Sequence, residues 1–418
     1  MRIPALLREH AGFRAFWCSQ TVSLAGDQVG LIAMPLVAVL ALHAGPGAMG
    51  LLTAAGWAPH LLLSVHAGAW IDRSGRARAA MIAADAGRAA AVVTVPAAWA
   101  LGALTFAHLV AVALAVGALG AVASVAYGSV YAALVPRERL VEAGALVNGS
   151  RAGAAVVGPS LGGALVAALT APVALLADAA SFVASACWLR RIPIPARRGG
   201  GPAGGLGEGM RFIARSALVR PILAATATLN LFTFAISALL VLYATRALDV
   251  RPGTLGLVLG VGAVGGVVGS ALTGRIVRAI GVGPAFAAGC VLFTAPMLLV
   301  PLAGGPQALV VAMLVAAEAL ASFGVMVLDI SAGAILVAAV PDGLRARMLG
   351  AYQLVNYGVR PLGALGGGAL GAAIGMRPTL WIAGIGALAS VLWLAPSPVP
   401  RLRALPGEPA AQPSPARC

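Results

Sequence analysis

The sequence predicts an all-α membrane fold: twelve transmembrane helices in two pseudo-symmetric six-helix halves. Three observations predict it. Hydrophobic residues make up 60% of the 418-residue chain, 10% is charged, and the mean hydropathy is +0.96. Apolar stretches about 20 residues long, enough to cross a bilayer, recur along the chain. One long basic interruption then divides those stretches into six and six. A soluble domain needs roughly a quarter of its residues charged to cover its surface, so this composition excludes a water-exposed fold.

The spans fall near 13–42, 47–71, 79–101, 106–132, 143–169 and 172–189, then near 221–245, 253–274, 284–303, 306–331, 348–374 and 378–396. The 54 glycines suit membrane helices, where small residues permit close helix contact. All 28 basic residues are arginine. About 22 fall in loops on the side of the N-terminus, and three (Arg246, Arg251, Arg377) fall on the other. Arg88, Arg151 and Arg360 lie inside spans. Such asymmetry follows the positive-inside rule and places both termini in the cytoplasm of a multi-pass inner (plasma) membrane protein. The net charge of +15 is thus a topology signal, and no nucleic-acid partner is expected. The first apolar stretch is too long for a cleaved signal peptide and contains Asp27. Cys18, Cys187, Cys290 and Cys418 are scattered, with no pair at metal-ligand spacing.

The expected domains are residues 1–189, a cytoplasmic linker at 190–220, residues 221–396, and a disordered cytoplasmic tail at 397–418. The linker holds Arg190-Arg191, Arg197-Arg198 and Gly199-Gly200-Gly201-Pro202, a flexible and soluble composition. Its end, from Glu208 to Ser216, reads as a short amphipathic helix on the membrane surface. The halves echo each other. Leu146-Val147-Asn148, Arg151 and Gly162-Gly163-Ala164-Leu165 correspond to Leu354-Val355-Asn356, Arg360 and Gly367-Gly368-Ala369-Leu370, about 205–209 residues later. Span five is thereby matched to span eleven in a parallel repeat.

Two motifs carry a family resemblance. Between spans two and three stands Gly68-Ala69-Trp70-Ile71-Asp72-Arg73-Ser74-Gly75-Arg76. Span five contains Gly158-Pro159-Ser160-Leu161-Gly162-Gly163. The first resembles motif A of the major facilitator superfamily, and the second its antiporter motif C. Further echoes are Phe13-Arg14 through Gly26-Asp27, Asp85 with Arg88, and Asp178 to Phe182. They are similar to the drug:proton antiporter branch with macrolide-efflux and enterobactin-exporter-like proteins. The resemblance implies a major facilitator fold and a secondary active transporter, working as a monomer by alternating access. It also implies proton-coupled export of a drug-like or secondary-metabolite molecule. Two departures stand out. Span four has no arginine where motif B carries one for proton transfer. The second-half counterpart of motif A is reduced to Gly274-Arg275 with Arg278 and lacks its aspartate, which suggests an asymmetric gate.

Polar side chains in lipid are costly and are expected to face a cavity or a partner. Thr226, Asn230, Thr233 and Ser237 form one stripe on span seven; Gln20, Ser23 and Asp27 form another on span one. Ser124, Tyr127 and Tyr131 do so on span four, and Glu318, Ser322 and Asp329 on span ten. In the superfamily these four helices line the cavity. The alternative is ordinary hydrogen bonding between helices. Asp27, Glu318 and Asp329 are candidates for the proton-coupling acid, or else structural carboxylates. Asp85 and Arg88, three apart, are expected to pair on one helix face. Arg360, with Asn356 on the same helix, either neutralises a buried acid or binds an anionic substrate; Arg151 stands in the equivalent place. In motif A, Gly68 would allow close packing, Arg73 and Arg76 would sit on the anionic leaflet, and Asp72 would latch one half to the other.

Several patterns mislead. Gly260-Val261-Gly262-Ala263-Val264-Gly265 matches a dinucleotide fingerprint but lies inside an apolar helix with no preceding strand. Its glycines give small-xxx-small spacing for helix contact instead. His60 and His66 have no carboxylate to complete a metal set. No nucleophile constellation or Walker sequence appears, so neither an enzyme nor an ATP-driven pump is expected, and no cofactor or metal. An importer or facilitator of a polar nutrient is the remaining transporter reading. A non-transporting sensor would call for an appended soluble domain, which the 418 residues do not contain.

Overall fold

The computed structural model describes residues 4–192 and 206–405. Twelve long helices run through it. The first six are α1 (Ala11–Ala41), α2 (Pro46–Ser74), α3 (Ala77–Ala100), α4 (Phe106–Leu134), α5 (Leu140–Ala168) and α6 (Ala171–Arg190). The second six are α7 (Val219–Arg246), α8 (Pro252–Ile280), α9 (Val282–Leu302), α10 (Gln307–Ala339), α11 (Asp342–Ile374) and α12 (Met376–Trp393). No strand occurs among the described residues. Over their described residues, ten of these helices are long and apolar enough to cross a membrane. The other two, α2 and α11, are as long, and they pack against each other. Helix-to-helix contact relieves them of the need for a fully greasy surface.

Each expected span coincides with one helix, and the ends differ for a physical reason. Span ten was expected to stop near 331, yet α10 continues to Ala339; α11 starts at Asp342, six residues before the apolar stretch. Hydropathy reports only the part in lipid, whereas these helices run on into the polar layer and carry Arg345 and Arg347 there.

The two halves repeat one packing plan. In the first half, α1 packs on α5 and α6, α2 on α4, and α3 on α4 and α6. In the second, α7 packs on α11 and α12, α8 on α10, and α9 on α10 and α12. The loops repeat down to single hydrogen bonds. Ala44 N–H donates to Ala38 O at 2.8 Å after α1, and Val250 N–H donates to Ala244 O at 2.9 Å after α7. Beside them His43 and Asp249 both adopt left-handed backbone, at φ 52 and 51. Few residues other than glycine take this conformation, so its recurrence at matched positions marks one fold used twice.

The halves meet along α2–α11 and α5–α8. Glycines make the closest approaches, and all of them lie in the part of these helices remote from the linker. A Cβ at Gly50 would stand 2.5 Å from Ala364 O, and one at Gly163 would stand 2.6 Å from Pro252 O. Gly253, Gly256, Gly260 and Gly368 lie in the same two seams. At that end Arg246 Nη2 also donates to Val39 O at 3.4 Å.

Of the linker, residues 193–205 lie outside the described set. The expected amphipathic helix is present at Leu206–Arg215, docked on α11 with Gly209 against the Arg347 carbonyl and Glu208 paired to Arg347. Residues 397–405, the start of the segment expected to be disordered, are packed. Val399 is fully buried against α9, and Gly283 N–H donates to Leu402 O at 2.8 Å. Residues 406–418 lie outside the described set.

Candidate functional site

Two polar clusters and one seam concentrate the chemistry. The first cluster sits between α1, α3 and α6. Arg88 and Asp85, one turn apart on α3, form the expected buried ion pair. Three further groups hold it. Ser185 Oγ on α6 donates to Asp85 Oδ2 at 2.6 Å, Ser19 on α1 bonds Ser185 at 2.9 Å, and the Phe182 ring lies 4.2 Å from the Arg88 guanidinium. Asp27 on α1 reaches the same arginine at 3.7 Å. Its side chain is 43% accessible against 3% for Asp85, so Asp27 is the member a proton or solute can reach. Asp178 on α6 lies nearby with one buried carboxyl oxygen lacking a hydrogen-bond partner. Gly26 and Gly30 make room for it: a Cβ there would strike Ser181 and Asp178. Charged groups at this depth are tolerated because they are paired.

The second cluster joins α7 and α11. Asn230 Oδ1 accepts from Arg360 Nε at 3.1 Å. Asn230 Nδ2 donates to Thr226 O at 2.8 Å and to Asn356 Oδ1 at 3.1 Å, so the amide that faces Arg360 is held from behind. Thr226 and Tyr352 share a hydrogen bond of 2.9 Å. The Arg360 guanidinium lies over Trp57 at 4.4 Å, Tyr357 at 4.5 Å and Phe234 at 5.0 Å. Trp57 belongs to α2 of the other half, so this cluster spans the boundary between halves. Such cation–π contacts hold an arginine without neutralising it.

The seam explains the motif on α5. Gly158 and Gly162, four apart, face α1: a Cβ at Gly158 would meet Gln28 at 2.4 Å, and one at Gly162 would meet Val29 at 3.2 Å. Pro159 and Gly163, also four apart, face α8 of the other half, with Gly256 against Pro159 O. One stretch therefore builds a contact within its half and a contact between halves.

In motif A, Gly75 adopts φ 63 and ends α2 with its N–H on Ile71 O at 2.9 Å; a left-handed terminus of this kind favours glycine. Arg73 and Arg76 are exposed, and Arg78 donates to Ile192 O at the end of α6. Gly68 departs from expectation. Its nearest neighbour is Val125 at 3.7 Å, because the close approaches of α2 lie toward its opposite end. The expected latch of Asp72 lies outside the described side chains.

The stripes are only partly brought together. Thr226 and Asn230 join the second cluster, whereas Thr233 bonds the Leu229 carbonyl of its own helix and Ser237 is exposed. Ser23 is buried, and Gln20 bonds Ser19 of its own helix, at 3.4 Å. Ser124 bonds the Ala121 carbonyl. Tyr127 and Tyr131 stack at 5.8 Å beside Phe16, with Arg151 5.9 Å from the Tyr127 ring. On α10, Glu318 packs its Cβ against Gly262 of α8, Ser322 lies by Gly266, and Asp329 is exposed. Neither acid has an ion-pair partner among the described residues. The misleading glycine run is helix contact, with Gly265 against the Ala319 carbonyl. Ser19, Ser185, Trp57, Phe234 and Tyr357 were not foreseen. Trp57 and His60, three apart in a chain with 5% aromatic residues, were the available signal.

Twelve spanning helices in two like halves, with a charged group at the boundary between them, define a membrane transporter of the major facilitator type. The family model described as transmembrane secretion effector matches residues 5–416, and the chain belongs to that family. Solved structures with the same fold include a transporter of the POT family in complex with 5-aminolevulinic acid. It has 14% identity and a TM-score of 0.74, covering 94% of this chain and 96% of that one. Another is a bacterial homologue of the iron transporter ferroportin in an inward-facing state, with 17% identity, a TM-score of 0.73, and 93% and 98% coverage. The nucleoside transporter NupG has 11% identity and a TM-score of 0.71, covering 92% and 99%. No curated protein matches the chain.

Proposed function

We propose that this transporter exports a drug-like or secondary-metabolite small molecule from the cytoplasm by alternating access, driven by proton entry. The observation that carries the reading is the placement of the seams. The glycines that bring backbone against backbone between halves, Gly50 with Gly368 and Gly163 with Gly256, lie in the part of the helices remote from the linker. With the arginine-rich linker and termini in the cytoplasm, the remote end is the outer side. On that orientation the α2–α11 and α5–α8 seams close the outer side, and the state is inward-facing. Export requires those seams to part. The Gly158–Gly163 segment supports that role, because it binds both its own half and the other.

Asp27 is the favoured coupling acid. It is the accessible member of a set in which Arg88 serves two carboxylates. A proton on Asp27 would leave Arg88 to Asp85 and loosen α1 from α3. Protonation would thereby act on a helix that packs on α5, the carrier of the seam.

The test is an accumulation assay in an efflux-deficient host, using a panel of fluorescent amphipathic compounds and antibacterial agents. Expression of the protein should lower the accumulation of at least one compound, and an uncoupler should restore it. Accumulation that rises on expression would instead mark the importer reading. Lowered accumulation that an uncoupler leaves intact would remove proton coupling.

A further inference from the structure

The chemistry around Arg360 indicates what the transporter carries, and the inference rests on the transport reading above. Three rings and one amide surround the guanidinium, and each has a definable part. Trp57, Tyr357 and Phe234 offer their faces at 4.4 to 5.0 Å, and Asn230 takes the Nε hydrogen. The two terminal nitrogens have no hydrogen bond or ion pair among the described residues. Asp329 of α10 acts on Arg360 only electrostatically, without ion-pair contact. His60 lies on the same wall, 5.4 Å from the Trp57 ring and 6.4 Å from that of Tyr357. Arg151, at the equivalent place in the first half, lies 5.9 Å from the Tyr127 ring and likewise has no ion pair among the described residues.

An arginine this deep in a membrane protein ordinarily has a carboxylate beside it, as Arg88 has in the other cluster. Arg360 has instead a rigid amide behind it and aromatic faces around it. What remains is a planar fork of N–H donors in an apolar, ring-lined setting. That fork matches a carboxylate, which it can hold through two parallel hydrogen bonds. The rings match an apolar or aromatic body attached to that carboxylate. We propose that the transported compound is an organic anion whose carboxylate docks on Arg360 and whose body lies against Trp57, Tyr357 and Phe234. Because Trp57 comes from the opposite half, such a ligand is gripped from both sides of the boundary, as a substrate that must sense the closing of the halves requires.

The experiment uses the full-length protein in lipid nanodiscs, titrated calorimetrically against three probes on one scaffold, with empty nanodiscs as reference. The probes are 2-naphthoate, its methyl ester and 2-naphthylmethylammonium. Saturable binding of naphthoate is expected, at least about 10-fold tighter than of the ester or the ammonium, the factor that a charge-assisted hydrogen bond supports. Arg360→Gln should abolish that preference. Arg360→Lys, which keeps the charge and loses the fork, should reduce it, and this variant decides the matter if the Gln variant is not monodisperse. Equal binding of the three probes, preference for the ammonium, absence of saturable naphthoate binding, or a preference that survives both substitutions would overturn the proposal. Failure here with uncoupler-sensitive efflux of a neutral or cationic compound leaves the transport reading intact. Naphthoate binding through Arg360 with no compound moved in any cell assay does the reverse.

Discussion

A single methyl group at the α5–α8 seam should push the protein away from the state described here. The Cβ added by Gly163→Ala would stand 2.6 Å from Pro252 O and 2.8 Å from Gly256 Cα, both backbone atoms that no rotamer change can move. To restore ordinary contact, α8 must retreat by several tenths of an ångström. Overpacking of this kind costs about 1–3 kcal/mol. At about 1.4 kcal/mol per factor of ten, the closed seam is disfavoured by roughly 5- to 150-fold. The gain in helix propensity on replacing glycine, about 0.5–1 kcal/mol, applies to both states and cancels in their ratio. Gly153→Ala on the same helix is the control, since nothing lies within 4 Å of its added Cβ. The assay is double electron–electron resonance between spin labels at Ala103→Cys and Gly304→Cys, in a background lacking the four native cysteines. Both labels sit in loops at the sealed end. Gly163→Ala and Gly256→Ala should each move population to longer distances, and Gly153→Ala should not. Unchanged distributions in both seam variants would refute the claim that these glycines permit closure.

Three further outcomes follow from the site. Arg88→Met should lower stability by about 3–5 kcal/mol, because it strands the Asp85 charge. Thermal unfolding reads this, and the pair Arg88→Met with Asp85→Leu should recover much of the loss; a single variant that melts like the wild type would mean the pair is not structural. Proton uptake in everted vesicles should vanish in Asp27→Asn with expression preserved and persist in Glu318→Gln. The reverse pattern transfers coupling to α10, and two fully coupled variants exclude both acids. Asp72→Asn should leave membrane insertion intact and slow turnover, and unchanged transport kinetics would argue against the latch.

Much of this architecture is legible in the sequence because one physical term dominates it. Lipid forces each span to be apolar and about 20 residues long, so hydropathy finds all twelve helices and misplaces only ends that lie outside lipid, as at Ala339 and Asp342. Local pairs are legible too: Asp85 and Arg88 are three apart, and helical geometry alone brings them together. Asp27 and Ser185 are not, because they come from other helices, Asp27 to Arg88 and Ser185 to Asp85, the latter 100 residues away. Helix rotation decides such meetings, and the hydrophobic pattern of a helix with apolar residues all round leaves rotation undetermined. The same limit explains why the stripe on α7 splits, with Asn230 facing Arg360 and Ser237 facing outward. Motif residues gave positions but not contacts: the sequence of Gly158-Pro159 and Gly162-Gly163 does not say which glycine meets which half.

The most direct test of the account is proton flux in oriented proteoliposomes holding the purified protein and a trapped pH dye. The added solute is the compound singled out by the accumulation assay. The compound should drive proton movement in the opposite direction, with the flux lost in Asp27→Asn and its substrate dependence weakened at least about 10-fold in Arg360→Lys. Compound movement with no accompanying protons, or with protons moving in the same direction, would contradict it.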